Sequence, residues 1–545
     1  MKYLRKHWWE TIFICLLILG FTSGILGFIE ANETKHKLVD SLYETFRLFE
    51  RKYHSKDIPS GLRVAQWLLF FAFLWLSLKI IITIIAPNFL SDIWVRYSFR
   101  KHIVICGLNE ITLLLVSEYK DRKIIVLAEE YNKYAESLKI KGVKFFLCGD
   151  LSDKAFLRKA RIKTASLVYV VTENDKKNVE ITRSISALLK KGHYAEALKC
   201  YTLIKDRELK ILLEESALFK YRTEFLDPAL FNINETGIKY GLNTNIDKIL
   251  PENRKVAPSI LVIGLTEKAE AVFLNLAHCM TMKREFFRFT IAEEDPEKIR
   301  LFKKKYPYLP EFTEIDYTDN GDEVCKGNRF SSVFICLDNQ IEAVKTALSI
   351  RCLIADNLPN ILIISGESEN WIEVFNEEEI GILTLKNRNI FLVDILEETI
   401  RYLVKSDPEI ERLAEIAHNH WREKDEQGNY TKNDEYNTIS GHLKQTNRNQ
   451  IADNYLRTFI ATGQKLGTPK RNDPVVFSGE DRETLAMMEH RRWMLEKYSN
   501  GWHSGGKRND DFKIQNNLVS WGTLTEKEKE KDFVAIDLMT NMINS

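Results

Sequence analysis

Two long uncharged stretches near the N-terminus constrain this chain more than any other feature of its sequence. Residues 11–29 (TIFICLLILGFTSGILGFI) carry no charge, and residues 64–86 are interrupted only by Lys79. An α-helix needs about twenty apolar residues to cross the hydrocarbon core of a membrane. Both stretches are therefore predicted to span a membrane. Lys79 is a candidate pore residue, because charges inside a membrane are rare and commonly functional.

The charges beside the two spans predict their orientation. Lys2, Arg5 and Lys6 precede the first span, and Arg96, Arg100 and Lys101 follow the second. Positive flanks stay on the cytoplasmic side, so we predict a multi-pass protein of the inner membrane with both termini in the cytosol. A cleaved signal peptide is the alternative for the first stretch, although its apolar run is longer than a usual signal core.

The loop between the spans limits what kind of channel they could form. Residues 38–53 have the apolar spacing of a short amphipathic helix. Two spans around such a helix have the outline of a two-span potassium channel subunit. The glycine-rich filter of such channels, which resembles TVGYG, is absent between Phe46 and Ile58. Potassium selectivity of that kind is therefore not predicted.

Composition excludes some partners without indicating a function. The 78 Lys and Arg residues nearly balance the 77 Asp and Glu residues, so no overall charge favours a nucleic-acid polymer as partner. The eight cysteines lie far apart without a CxxC pair, which predicts reduced core thiols and no metal site. At 545 residues the chain is long enough for several domains.

A strand that enters a glycine turn occurs twice after the spans. HIVICGLNE at 102–110 is repeated as SILVIGLTE at 259–267, so Gly107 and Gly264 take equivalent places. Further apolar strand-like runs alternate with helical ones, which is typical of doubly wound parallel sheets. We therefore predict a membrane region at 1–99 and two α/β Rossmann-like domains at 100–250 and 251–392.

The first glycine turn has part of the pattern of a dinucleotide site. In such sites a glycine makes the tight turn, and an acid about twenty residues further on holds a ribose. Gly107 and Glu129 have this spacing, whereas Asn109 and Thr112 stand where the second and third glycines would be. A plain strand-to-helix turn is the alternative interpretation.

The segment from Lys101 to Asp206 resembles the TrkA-N family, the nucleotide-binding module of regulators of potassium conductance. The resemblance is carried by ICGLNE, LAEE, GVKFFLCGDLSDKAFLRKARI and VTENDKKNVEI, with the Gly149–Asp150 pair as its most specific feature. It implies NAD(H) or another adenine nucleotide as a regulatory ligand. The implied site residues are Gly107, Asn109, Glu129, Gly149 and Asp150. The second unit departs further from the family pattern, so a structural role is predicted for it.

The last region, 393–545, changes from strand patterns to helix patterns. Its segment 485–532, from LAMMEHRRWMLEKY to TEKEKEKD, closely resembles the RyR domain, the repeat first known from ryanodine receptors. The resemblance implies a mostly α-helical domain that binds a nucleotide-type ligand. Tryptophan can stack on a base, and arginine or lysine can bind phosphate. The predicted ligand residues are His490, Arg491, Trp493, Trp502, Lys507 and Arg508. The alternative interpretation is that both tryptophans fill the core of a small helical domain and that His490 caps a helix or forms an internal hydrogen bond. A core position is favoured for Trp493, and Trp502, Arg491 and Arg508 are the better ligand candidates.

The order of these parts predicts a sensor rather than an enzyme, and no catalytic residue is predicted. The leading hypothesis is a ligand-gated ion channel or membrane-perturbing effector, in contact with membrane lipid. Two spans cannot enclose a pore, so it would be a homo-oligomer such as a tetramer. A membrane-tethered adaptor that senses a nucleotide without conducting ions is the alternative, and an NAD-dependent membrane oxidoreductase is a third. The company that RyR domains keep in bacteria suggests a role in antiviral defence, which no residue of the chain indicates.

Overall fold

The computed structural model of the chain describes residues 8–31, 43, 45, 60–84, 100–140, 145–190, 192, 196–250, 256–327, 329–354, 359–366, 389–422, 434–466 and 474–544. The chain divides into two compact units, 1–99 and 100–545. The short helix predicted at 38–53 lies outside the described residues, apart from Tyr43 and Thr45.

The N-terminal unit contains a pair of apolar helices, α1 (Trp8–Ala31) and α2 (Ser60–Ile84). Within them, the segments Ile12–Ile29 and Ser60–Ile80 are long and apolar enough to cross a membrane, judged by length and composition. Lys79 lies in the last part of α2. Two apolar N-terminal helices suggest that the protein is anchored in a membrane.

Small residues allow these two helices to approach closely. A Cβ atom added at Gly27 would lie 2.9 Å from the backbone nitrogen of Leu62. The Ser23 hydroxyl donates a hydrogen bond to the Gly61 carbonyl oxygen over 2.9 Å. Helices in a membrane associate through such small-residue contacts and interhelical hydrogen bonds, since lipid provides no hydrophobic drive between them.

The first α/β region is a six-stranded parallel sheet with the order β3-β2-β1-β4-β5-β6. Its strands are β1 (Ile103–Cys106), β2 (Ile124–Ala128), β3 (Phe145–Cys148), β4 (Leu167–Val170), β5 (Leu198–Leu203) and β6 (Leu226–Phe231). Its helices are α3 (Glu110–Glu118), α4 (Lys133–Ile140), α5 (Lys154–Lys159), α6 (Asp175–Leu189) and α7 (Arg207–Glu214), and α8 (Ile233–Thr244) and α9 (Ile246–Ile249) follow the sheet. The central strands are buried on both faces, which explains their continuous apolar sequences.

The second α/β region repeats this topology, with the order β9-β8-β7-β10-β11-β12, again all parallel. Its strands are β7 (Ser259–Ile263), β8 (Arg288–Ala292), β9 (Glu314–Thr318), β10 (Ser332–Ile335), β11 (Asn360–Ser365) and β12 (Ile390–Asp394). Its helices are α10 (Glu267–Leu276), α11 (Pro296–Lys305), α12 (Gly321–Gly327) and α13 (Gln340–Leu353). The matching strand order explains why the two glycine turns occupy equivalent places.

The C-terminal region is mostly helical. It contains α14 (Ile395–Arg401), α15 (Asp407–Trp421), α16 (Gly441–Thr462), α17 (Gly479–Ser499) and α18 (Glu526–Asn544), with a π-helical turn at Tyr402–Ser406 and the short strands β13 (His503–Ser504) and β14 (Ile514–Gln515). One apolar core joins this region to the second sheet, and another joins α14 and α15 to the first sheet. The predicted order of apolar helices, two doubly wound sheets and a helical region is therefore confirmed.

The helix that follows each sheet packs against its counterpart. At the contact between α8 and α14, a Cβ atom added at Gly237 would lie 2.0 Å from the carbonyl oxygen of Ile395. No side chain fits at that distance from a backbone atom, so the approach of the two helices requires glycine at this position.

We expect Gly237→Ala to lower the free energy of unfolding by about 1–3 kcal/mol, because the added methyl group forces the two helices apart. This cost opposes the gain in helix propensity of up to about 1 kcal/mol that alanine brings. Thermal unfolding of the purified chain measures the change. Gly522→Ala is the control, since nothing lies within 4 Å of its added Cβ atom. A Gly237→Ala variant as stable as the control would contradict the close approach.

Candidate functional site

The first glycine turn is built by Gly107 and Asn109 between β1 and α3. Gly107 has a φ of +132°, and its added Cβ atom would lie 2.7 Å from the Val171 carbonyl oxygen, so only glycine fits there. The Asn109 side chain caps α3 by accepting a hydrogen bond from the Thr112 amide over 3.2 Å. Its amide group donates to Val171 over 2.6 Å. Asn109 therefore holds the turn in shape, with 6% of its surface exposed.

The two predicted acids of this first site, Glu129 and Asp150, both contact Lys177, which was not among the predicted site residues. Lys177, in the first turn of α6, places its Nζ 2.7 Å from Glu129 and 3.0 Å from Asp150. The hydrogen bond to Glu129 is the main reason that the pKa of Lys177 is raised. Gly149 directly precedes Asp150 at the end of β3. The structure thus brings Glu129, Asp150 and Lys177 together, and a ribose hydroxyl would share Glu129 with Lys177.

The second glycine turn is closed by its own carboxylate. Glu293 is 8% exposed and accepts a hydrogen bond from the Leu265 amide over 2.8 Å, immediately after Gly264. In a nucleotide-binding turn the backbone amides are directed at phosphate. Because Glu293 already occupies one of them, the geometry supports the structural role predicted for the second unit.

A second candidate site is a cavity of about 230 Å³ in the helical region, named here the RyR cavity. Its walls are formed by α15 to α18 and by the loop that joins the last two of these helices. The lining residues are His418, Leu443, Thr446, Asn447, Gln450, Glu489, His490, Arg492, Trp493, Lys497, Arg508, Gln515, Asn517, Leu524, Glu528, Lys531 and Asp532. Apolar and aromatic surface beside a few polar groups is typical of small-molecule sites.

Three of the predicted ligand residues line this cavity, namely His490, Trp493 and Arg508. His490 and Trp493 lie three residues apart on α17 and therefore share a face, and Lys497 extends that face by one more turn. Arg508 reaches the cavity from the loop and is paired with Asp510 over 2.6 Å.

The other three predicted residues lie elsewhere. Arg491 is on another face of α17, where its guanidinium donates hydrogen bonds to the carbonyl oxygens of His278 and Phe312 in the second α/β region. Trp502 is 7% exposed and belongs to the core, and Lys507 is exposed outside the cavity lining. Trp502, expected as a ligand candidate, lies in the core, whereas Trp493 packs against that core and also lines the cavity. Arg491 does not line the RyR cavity, because its guanidinium is held by the two carbonyl oxygens of the second α/β region.

His490 is held with both ring nitrogens near acceptors. Nε2 lies 2.9 Å from the Val519 carbonyl oxygen, and Nδ1 lies 3.4 Å from the Asp532 carboxylate. Burial works to lower the pKa of His490, but the hydrogen bond and the charge of Asp532 outweigh burial and raise it. The ring also stacks with Trp493 at 5.8 Å between centroids. His490 therefore fixes the orientation of the aromatic wall.

Lys497 carries a buried charge at the cavity wall. It is 4% exposed, and its Nζ lies 3.2 Å from Nε2 of His442 and 4.6 Å from the centre of the Trp502 ring. Burial lowers the pKa of Lys497 to about 8, and burial followed by the charge of Lys497 lowers the pKa of His442 to about 4. Among the residues that the structure describes, no carboxylate oxygen lies within 4.0 Å of this ammonium group.

The floor of the RyR cavity is a buried ion cluster. Glu489 is 1% exposed, and both Arg457 and Arg492 donate hydrogen bonds to its carboxylate. Arg457 is fully buried and also donates to the Gln450 carbonyl oxygen over 3.0 Å. The side-chain nitrogen of Gln450 has no hydrogen-bond partner in the described part of the chain.

Comparison with known proteins identifies two parts of the chain. Residues 103–217 match the TrkA-N domain, and residues 479–543 match the RyR domain. Both resemblances are therefore confirmed over these two segments. No curated protein matches the chain.

Solved structures of the GsuK channel are among the structures similar to this chain. The GsuK channel is 15% identical, with a TM-score of 0.41 over 73% of this chain and 97% of that one. GsuK bound to ADP is 15% identical, with a TM-score of 0.39 over 75% of this chain and 100% of that one. GsuK bound to NAD is 13% identical, with a TM-score of 0.39 over 75% of this chain and 85% of that one. At these sequence identities and TM-scores, the properties of the GsuK channel are not transferred to this chain.

Proposed function

We propose that this protein is a membrane effector controlled by a nucleotide-type ligand that binds in the RyR cavity. The observation that carries the proposal is Lys497, a buried cation at the wall of an open cavity without a carboxylate among its described neighbours. A buried charge is costly unless it is paired. An anionic ligand supplies the missing partner.

The remaining walls of the cavity suit a nucleotide. The indole of Trp493 offers a face on which a base can stack, and such stacking contributes about 1–3 kcal/mol. Arg508 stands at the same cavity for a phosphate group. An adenine nucleotide is the proposed ligand. The turn at Gly107 and Glu129 is the proposed second nucleotide site.

The proposed output is a change in the two apolar helices. Two helices per chain cannot enclose a pore, so the active form is a homo-oligomer, for which a tetramer is the simplest proposal. In the proposed arrangement both termini are cytosolic, Lys79 faces the pore or the helix bundle, and the protein conducts ions or perturbs the lipid when ligand is bound.

The experiment that tests this function is ion flux in liposomes that contain the purified chain. We expect ADP or NAD on the cytosolic side to change the flux, with nucleotide-free liposomes as the baseline. Nucleotide binding without any flux would instead indicate the tethered adaptor. Absence of binding to both nucleotides would refute the proposed ligand class.

We expect Trp493→Ala to weaken ADP binding about fivefold or more, because the variant loses the stacking surface. Trp493→Phe is the matched variant, since it keeps an aromatic face and should retain most of the affinity. Isothermal titration of the detergent-solubilised chain measures both. Equal binding by the alanine and phenylalanine variants would show that no base stacks on this residue.

A further inference from the structure

A separate cavity lies where the two α/β regions and the helical region meet. This junction cavity has a volume of about 130 Å³, and its lining includes Arg207, Lys239, Tyr240, His278, Asn449 and Arg492. These residues come from α7 and α8 of the first region, from the segment that follows α10 in the second region, and from α16 and α17. A molecule bound here would contact all three regions at once.

Most charges around the junction cavity are paired with each other. Arg207 lies 2.7 Å from Glu235, and Lys210 lies 2.9 Å from the same carboxylate. Burial disfavours the charge of Lys210, but its carboxylate neighbours outweigh burial and raise its pKa. Arg492 lies 2.5 Å from Glu496. Ion pairing offsets the free-energy cost of burying these charges. These residues therefore do not require an anionic ligand.

Lys239 differs from these neighbours. Its Nζ lies 2.5 Å from Oδ1 of Asn449, and no carboxylate oxygen in the described residues lies within 4.0 Å of it. Burial lowers its pKa to about 8 against the opposing charge of Glu496, and the other charged groups that act on it include Arg492, Asp453 and Glu235. Lys239 therefore places a cation at the junction cavity without a counter-ion.

We propose that the junction cavity binds a small anion, a molecule with a carboxylate or phosphate group for which Lys239 is the counter-ion. Asn449 accepts hydrogen bonds on Oδ1 from both Lys239 and Gln445, which leaves its NH₂ group to donate to the same anion. The rings of Tyr240 and Tyr402 stack with 4.1 Å between their centroids, and they form an apolar wall of the cavity. The cavity is smaller than the RyR cavity, so it suits a compact metabolite rather than a nucleotide.

The test is the unfolding temperature of the purified full-length chain in detergent, measured with increasing sodium phosphate or sodium succinate at constant ionic strength. We expect at least one of these anions to raise the unfolding temperature until it saturates, since a ligand of the folded state stabilises that state. Lys239→Met should weaken the apparent affinity about tenfold or more. Lys303→Met, at an exposed position, should behave as wild type. A rise in unfolding temperature with phosphate alone indicates a site for a phosphate group, and a rise with succinate alone indicates a site for a carboxylate.

Two results would overturn the proposal. One is a chain whose unfolding temperature does not change with either anion, or changes equally in the Lys239→Met variant. The other is a Lys239→Met variant that unfolds well below wild type without anion, which would make Lys239 a structural partner. Lys239 has no carboxylate counter-ion among the described residues, so its replacement by an apolar side chain of similar volume should instead leave the unfolding temperature equal or higher. Nucleotide binding in the RyR cavity is measured separately, so the two proposals can fail independently.

Discussion

Replacement of Arg457 by methionine is expected to lower the free energy of unfolding by about 3–5 kcal/mol, which is the cost of removing one partner from a buried ion pair. Arg457 is fully buried, and its guanidinium contacts the carboxylate of Glu489, which is 1% exposed. The variant leaves Glu489 with Arg492 as its remaining cation, and the Gln450 carbonyl oxygen loses a donor. Urea unfolding measures the loss of stability, with the tryptophan fluorescence of the helical region as the signal.

Two further variants test whether the broken buried ion pair causes the lower free energy of unfolding of Arg457→Met. Arg412→Met removes an arginine that pairs with Glu409 over 2.7 Å at the surface, and it should change stability little because solvent screens exposed pairs. The double variant Arg457→Met/Glu489→Gln should recover part of the lost stability, since the buried carboxylate no longer carries a charge. If Arg457→Met is as mild as Arg412→Met, then the buried cluster does not stabilise the RyR cavity.

Replacement of Lys497 by methionine is expected to weaken ADP binding tenfold or more, while the unfolding temperature stays equal or rises. A charge-assisted hydrogen bond contributes about 1.5–3 kcal/mol, and a loss of 1.4 kcal/mol corresponds to a factor of ten. Stability should not fall, because relief of a buried charge that has no carboxylate partner among the described residues offsets the lost hydrogen bond to His442 and the lost contact with Trp502. Lys527→Met is the control, since Lys527 is exposed and outside the cavity lining. Equal ADP affinity in both variants would exclude Lys497 from the site.

The same lysine predicts how binding depends on pH. Burial lowers the pKa of Lys497 to about 8, with Glu496 and Asp510 opposing this change and Arg508 and Arg492 adding to it. The ammonium form that attracts an anion is therefore present below pH 8 and is lost as the pH rises through that value. ADP affinity of the wild-type chain should fall between about pH 8 and pH 9, and the Lys497→Met variant should lack this step. Titration calorimetry at several pH values measures both.

The sequence alone was sufficient to predict the parts of the fold that depend on the local pattern of apolar residues and glycines. Uninterrupted apolar runs predict spans and buried parallel strands, because burial on both faces leaves no polar periodicity. The repeated glycine turn predicts two sheets of the same topology, since only glycine adopts the φ of +132° that Gly107 has at the end of a strand. The RyR resemblance located α17, and helical spacing there could also have separated Trp493 from Arg491.

Only the tertiary structure decided which polar groups meet. Lys177 joins Glu129 to Asp150 because the ends of parallel strands converge, and no spacing in the sequence distinguishes it from Lys176. Lys497 at the RyR cavity and Lys239 at the junction cavity became candidates because neither has a carboxylate counter-ion among the described residues. A missing counter-ion is a property of three-dimensional surroundings. A linear sequence with balanced charge does not show which lysines fold without a carboxylate nearby in the described part of the chain.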